Sequence, residues 1–291
     1  MELGLLTVLA LLASGFAAGT IGALVGIGGG VLLVPLLVLG FGVPMKIAVA
    51  TSLVSVIATS TAAGSVWVGK GLANMRLGMT LEMTTTLGGI AGGLVAASVA
   101  PGVLSGLFSV LMAFTALLLW RAKEQQAPSS GREAGPEGEP TGHEERGRLA
   151  GSYYDGYSGR VYEYRVERLP LGSAVSFVAG VLSGMLGVGG GFMKVPAMTL
   201  VMGVPIKVAA ATSNFTIGIT AVSSLFVYLD RGFVHPLLAA PVALGVVGGA
   251  LLGTKLAKRF SPKRLRQALC FVLVAIAVQM ALKTAGVNVG R

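Results

Sequence analysis

The chain has 291 residues, 54% of them hydrophobic and only 12% charged, with a mean hydropathy of +0.80. A soluble domain carries about 25% charged residues, so this composition excludes an ordinary soluble fold and points to an all-α polytopic membrane protein. The net charge of +10 then reads as lysine and arginine at membrane edges, not as a nucleic-acid footprint.

The first apolar block, about 3–40, begins "MELGLLTVLALLASGFAAG" and resembles a signal peptide. It lacks the basic leader region and carries Glu2 instead, and it has a counterpart deep in the chain. It is therefore read as a retained segment. It is too long for one crossing and too short for two full ones, and its interior holds "GIGGGVLLVP" (26–35). Three further blocks, about 45–68, 77–100 and 102–120, each have the length of one crossing. Glu82 stands near the inner edge of the second of these, where an interfacial carboxylate is the commoner role and carriage of a coupling proton the sharper one.

A polar linker follows. Residues 124–150 are rich in Pro, Gly, Glu and Ser, the composition of a disordered segment. Residues 151–168 hold five of the six tyrosines, and the alternation over 161–166 has the period of a strand. "DGYSG" (155–159) supplies turn residues for a small β-hairpin.

The second half repeats the first. With a shift of 161, residues 18–52 fall on 179–213 without a gap, and 17 of 35 positions are identical. The organisation is therefore repeat one at 1–122, a cytoplasmic linker at 123–168 and repeat two at 169–291. Repeat two has blocks at about 170–203, 206–229, 236–257 and 265–285. Its last loop, 255–266, carries Lys255, Lys258, Arg259, Lys263, Arg264 and Arg266, whereas the equivalent 94–105 is uncharged. The positive-inside rule puts the first loop in the cytoplasm and its twin outside, which inverts one half relative to the other. Lys70, Arg76, Arg121 and Lys123 then lie inside. Crossing parity makes each first block a hairpin of two short arms, about 15–18 residues apiece, turning at Gly28–Gly30 and at Gly189–Gly191. This gives 8–10 membrane segments with both termini outside.

Non-helical backbone at membrane depth must be buried in protein or line a cavity. A helix starts after each glycine run, and its first amides and its dipole favour an anion. Gly28, Gly29, Gly30, Gly189, Gly190 and Gly191 are thus candidate substrate contacts. The alternative is that these glycines let full-length helices pack closely. Lys194 follows the second tip where repeat one has Leu33. A mid-membrane lysine is expensive, and its reach of about 6 Å falls short of headgroups roughly 10–15 Å away. It reads as an anion contact or gating pair, against snorkelling or an edge position.

The second shared motif is "GVPxKxAxATS", with Pro44 and Pro205 suited to a first helical turn. Thr51, Ser52, Thr212 and Ser213 offer hydroxyls to an oxyanion, or else bond the carbonyl one turn back. Asn214, in the second half only, adds an amide. Lys46 and Lys207 in the first turns suit contact with lipid phosphate. Cys270 reads as a small buried hydrophobe, and His143 and His235 belong to no ligand cluster. No metal, cofactor or hydrolase motif occurs, so the chain is not read as an enzyme.

With both signatures present twice, "G-[IV]-GGG…VP" and "GVPxKxAxATS", the chain resembles the sulfite exporter TauE/SafE family of membrane permeases. The resemblance covers nearly everything but the linker. It implies transport of sulfite, thiosulfate, sulfoacetate or another organosulfonate across a bacterial cytoplasmic membrane. It also favours Lys194 in its "GGGxxKVP" setting. Alternating access of the two inverted halves, with protons as a candidate coupling ion, is the expected mechanism. A channel-like anion pore, a permease for a non-sulfur organic anion, a membrane enzyme and a structural scaffold are the alternatives.

Overall fold

The computed structural model describes residues 4–25, 28–69, 71–121, 149–155, 160–256 and 262–284. The expectations placed on Glu2, Gly26, Lys70, Lys123, His143, linker residues 124–148, turn residues 156–159 and loop residues 257–261 lie outside that set.

The described chain is almost entirely helical. Repeat one supplies α1 (Leu5–Val25), α2 (Gly30–Pro35), α3 (Met45–Gly69), α4 (Met75–Ser98) and α5 (Pro101–Arg121). Repeat two supplies α6 (Leu169–Leu186), α7 (Gly191–Pro196), α8 (Ile206–Asp230), α9 (Pro236–Leu256) and α10 (Pro262–Thr284). Among the described residues, five segments are long and apolar enough to cross a membrane: Leu5–Ala23, Met45–Gly69, Leu169–Leu186, Ile206–Asp230 and Pro236–Leu256. In lipid a spanning backbone must satisfy its own hydrogen bonds, which is why such runs are helices. Large apolar side chains point outward, Met83, Phe226, Leu244 and Phe271 among them.

The arms of the glycine hairpins are unequal, which corrects the expected 15–18 residues apiece. The first arms, α1 and α6, have 21 and 18 residues. The second arms run only over Gly30–Gly40 and Gly191–Val201, roughly 16 Å of helix at 1.5 Å per residue. The shared proline explains their form. Pro35 and Pro196 lack an N–H, so the ladder is interrupted, and a π turn follows at Leu36–Gly40 and at Ala197–Val201.

Helix pairing crosses between the repeats. α1 lies on α9 and α4 on α6, while α3 lies on α8 and α5 on α10. The 161-residue shift carries α1 to α6 and α4 to α9, so the pattern is unchanged when the halves are exchanged. Glycines at every fourth position allow the closest of these contacts. A Cβ on Gly245, Gly249 or Gly253 would strike the carbonyls of Leu12, Phe16 and Thr20. A Cβ on Gly88 or Gly92 would strike those of Phe177 and Val181. Close-packing glycines therefore operate in α1/α9 and α4/α6, as the small-xxx-small pattern allows.

After the linker, β1 (Gly151–Asp155) and β2 (Arg160–Tyr164) pair antiparallel, with Tyr153 opposite Tyr162. Tyr153 is buried against a cluster that includes Leu77, Leu81, Met198, Met202 and Val208. The hairpin thus covers the start of α4, the end of the second arm and the start of α8.

Candidate functional site

The two glycine tips meet in the core. Gly28 and Gly189 have φ of 81° and 82°, the left-handed region that admits glycine at no steric cost. A Cβ on Gly30 would lie 2.5 Å from the Gly187 carbonyl and 2.8 Å from the Ser52 hydroxyl. The Ser52 hydroxyl donates to the Gly187 carbonyl at 2.7 Å and to the Gly30 carbonyl at 3.4 Å. One side chain of α3 therefore fastens both tips. Val56 and Ile217 close over them from α3 and α8. Gly29 caps the start of α2 and Gly190 that of α7, where Gly191 is the first residue.

Lys194 lies just past the second tip, on α7, and is 1% exposed. Its ammonium forms a buried ion pair with Glu82 of α4, itself 3% exposed. It also donates to the Thr216 hydroxyl at 3.4 Å. The Thr220 hydroxyl donates to the other Glu82 oxygen, and Thr86 Oγ1 approaches that oxygen at 3.5 Å. Glu82 is therefore no interfacial carboxylate, and Lys194 does not snorkel. Burying one such charge alone is costly, and the pair with its hydroxyl partners offsets that cost. A shallow groove of about 370 Å³ opens beside the carboxylate, lined by Met79, Glu82, Met83, Thr86, Leu87 and Ile219.

The hydroxyl motif divides. Ser52 is engaged at the tips, and the Thr212 hydroxyl accepts from the Asn74 N–H at 2.9 Å. Thr51 Oγ1, Ser213 Oγ and Asn214 Oδ1 are buried with no hydrogen-bond partner. Such atoms are uncommon in a protein core. Nearby, the Ser60 hydroxyl donates to the Asn214 carbonyl at 2.7 Å and accepts from the Gly218 N–H at 3.0 Å. It stands in the α8 ladder where Gly218 would otherwise bond Asn214.

Asn74 joins this corner to the hairpin. Its Oδ1 caps α4 by accepting from the Leu77 N–H at 3.0 Å, and its amide donates to the Leu149 carbonyl and to the Tyr164 hydroxyl at 2.9 Å. Burial pushes the Tyr164 phenol above its usual value, and the Asn74 contact pulls the other way. Lys46, expected at lipid phosphate, instead donates to the Ala97 carbonyl at the end of α4 at 2.7 Å and lies 5.4 Å from the Phe233 ring centre. Cys270 is buried, its thiol 3.6 Å from the Ala116 carbonyl. Among the described residues no group of three His, Cys, Asp or Glu is placed to hold a metal.

Sequence reading did not assign Thr86, Thr216, Thr220 or Ser60. The available signal was the spacing of Thr212, Thr216 and Thr220 at four residues, one helix face, and the isolation of Glu82 in its apolar block.

A family model described as Sulfite exporter TauE/SafE matches residues 11–280. The chain is 27% identical over 274 residues to Probable membrane transporter protein YunE of Bacillus subtilis, covering 91% of this chain and 94% of that one. It is 34% identical over 106 residues to a Probable membrane transporter protein of Xylella fastidiosa, covering 36% and 41%. It is 33% identical over 110 residues to Sulfite exporter TauE/SafE family protein 1 of Arabidopsis thaliana, covering 38% and 24%. No solved structure matches.

Proposed function

The chain belongs to the sulfite exporter TauE/SafE family of membrane transporters, and on that premise we propose that it is a secondary transporter of a small sulfur-containing anion. Sulfite, thiosulfate, sulfoacetate and related organosulfonates are the substrate class. The observation that carries this reading is a buried lysine one turn past a glycine tip, its ammonium against the Thr216 hydroxyl of α8. Lys194 supplies the charge, the tips supply backbone amides, and Thr51, Ser213 and Asn214 supply polar atoms that the protein itself leaves unpartnered. Ser52 and Thr212 hold the frame.

Repeats 1–122 and 169–291 are arranged with inverted topology around the 123–168 linker, and alternating access moves one against the other. The exchange-invariant helix pairing supports a twofold relation between them. The contrast between the uncharged 94–105 and the basic 255–266 supports its inversion. The linker is then cytoplasmic, both termini are outside, and the membrane is the bacterial inner one. Protons are the candidate coupling ion.

The test is binding and flux of sulfite, thiosulfate, sulfate and sulfoacetate by protein reconstituted in vesicles. Saturable flux with counterflow is expected for at least one sulfur anion, and its absence for all of them overturns the substrate class. Cysteine labelling of intact cells should reach 94–105 from outside and 255–266 from inside only. Labelling of both from one side rejects the inversion.

A further inference from the structure

We propose that Glu82 is an internal counter-anion that holds the substrate's place on Lys194 and yields it by taking up a proton, so that each anion is bound together with one proton. The inference rests on the reading of Lys194 as the substrate's contact and adds the group that controls it.

The donors around the Glu82 carboxylate are the Lys194 ammonium and the hydroxyls of Thr220 and Thr86. Thr216 stands beside the same ammonium. One cation with several hydroxyls is the set that a small oxyanion needs, so the carboxylate is a covalently tethered stand-in for the ligand. A substrate anion arriving beside an ionised Glu82 would leave the buried site with excess negative charge, and like charges at such a distance disfavour joint ionisation. A proton delivered by hydronium or a buffer acid, which is left as water or as the conjugate base, adds to a Glu82 oxygen and restores the balance. The carboxyl becomes neutral, Lys194 turns from it to the incoming anion, and no other bond is made or broken.

Among the described residues, the elements packed against α4 bring no second carboxylate to the pair: the hairpin over its start contributes the phenols of Tyr153, Tyr162 and Tyr164, with Tyr164 held at Asn74. α6 has none, and α7 has only Lys194. α4 adds Arg76, six residues from Glu82 and one from the helix start. α8 adds Lys207 in its first turn, exposed Asp230 in its last, and Tyr228, whose hydroxyl donates to the Gly184 and Met185 carbonyls. In the repeat, Glu82 and Lys194 fall on Ala243 and Leu33. The device therefore occurs once, giving one proton per site.

The experiment measures thiosulfate and sulfoacetate binding to the full chain in vesicles from pH ~5.5 to ~8, together with proton uptake on binding in weak buffer. In the wild type the dissociation constant should rise with pH, by up to about tenfold per unit, with close to one proton taken up per anion. Glu82→Gln should bind at every pH with an affinity that no longer follows pH, and should take up no proton. Wild-type binding without proton uptake overturns the inference whether or not the variant folds, as does a Glu82→Gln variant that keeps the wild-type pH slope. Either result leaves the transporter reading standing. Absence of sulfur-anion binding by the wild type at all pH values overturns that reading, and this inference with it.

Discussion

The repeat builds the same corner twice, and the two corners differ in charge. In the second, Thr212, Thr216 and Thr220 line one face of α8 toward α4, with Lys194 and Glu82 between them. In the first, the equivalent positions on α3 are Thr51, Ser55 and Thr59, but the equivalents of Lys194 and Glu82 are Leu33 and Ala243. The hydroxyls behave accordingly. Ser55 donates to the Thr51 carbonyl at 3.0 Å and Thr59 to the Ser55 carbonyl at 2.9 Å, each one turn back. Thr220 instead donates to a carboxylate on another helix. The equivalent threonines Thr59 and Thr220 thus differ: the first bonds its own helix where no charge is near, and the second turns to the carboxylate. A symmetric scaffold carries an asymmetric charge pair.

The largest effect should come from making the second corner like the first. Lys194→Leu leaves Glu82 buried and uncompensated, so it should cost about 3–5 kcal/mol of stability and abolish anion binding. Lys194→Leu combined with Glu82→Ala reproduces both first-repeat residues. It should recover most of that stability while binding stays absent. Thermal unfolding in detergent and uptake into vesicles measure the two sides. If the double variant is no more stable than the single one, the corners are not interchangeable frames.

Much of this corner was legible before any coordinates. The repeat picked out both tips, both prolines and Lys194, because backbone requirements at a turn leave glycine and proline as their trace. The strand alternation over 161–166 overlaps β2 at 161–164. What Lys194 pairs with was not legible. Glu82 is 112 residues away, on a helix that reaches α7 and α8 because pairing crosses between the repeats. The division within the shared Thr-Ser pairs was equally hidden. Ser52 is occupied because the Gly187 carbonyl happens to face it, and Thr212 because Asn74 does.

The next effect concerns packing, where the halves should be alike. Gly92 faces the Val181 carbonyl and Gly253, its repeat equivalent, faces that of Thr20. Gly92→Ala and Gly253→Ala should each cost about 1–3 kcal/mol by forcing the helices apart. Equal losses in unfolding temperature would support the exchangeable pairing. A loss at one position only would break it.

Ser52 and Ser213 are repeat equivalents with different bonding. Ser52→Ala removes the hydroxyl that fastens both tips and should cost about 1 kcal/mol. Ser213→Ala removes a hydroxyl with no protein partner, so its stability should stay within about 0.5 kcal/mol of the wild type. Its anion dissociation constant should rise several-fold, by about 1 kcal/mol, if the hydroxyl faces the ligand. Unfolding and binding measured side by side separate these outcomes, and an unchanged affinity removes Ser213 from the site.

The smallest effect lies at the end of the second corner, which alone is tied to the hairpin. Asn74 joins Thr212 to the Tyr164 hydroxyl, whereas its repeat equivalent is His235. Tyr164→Phe removes an acceptor and should loosen the hairpin by about 1 kcal/mol, read as faster hydrogen exchange over 151–164. The pH dependence has a definite sign. Burial raises the Tyr164 pKa above its ordinary 10.0, so the folded hairpin favours the neutral phenol. Its contribution is whole below that value and is lost as pH rises through the folded one. Exchange at 151–164 should therefore quicken at alkaline pH in the wild type beyond its intrinsic rise, but not in Tyr164→Phe. Equal alkaline quickening in both would mean that the hairpin is held by the Tyr153 cluster alone.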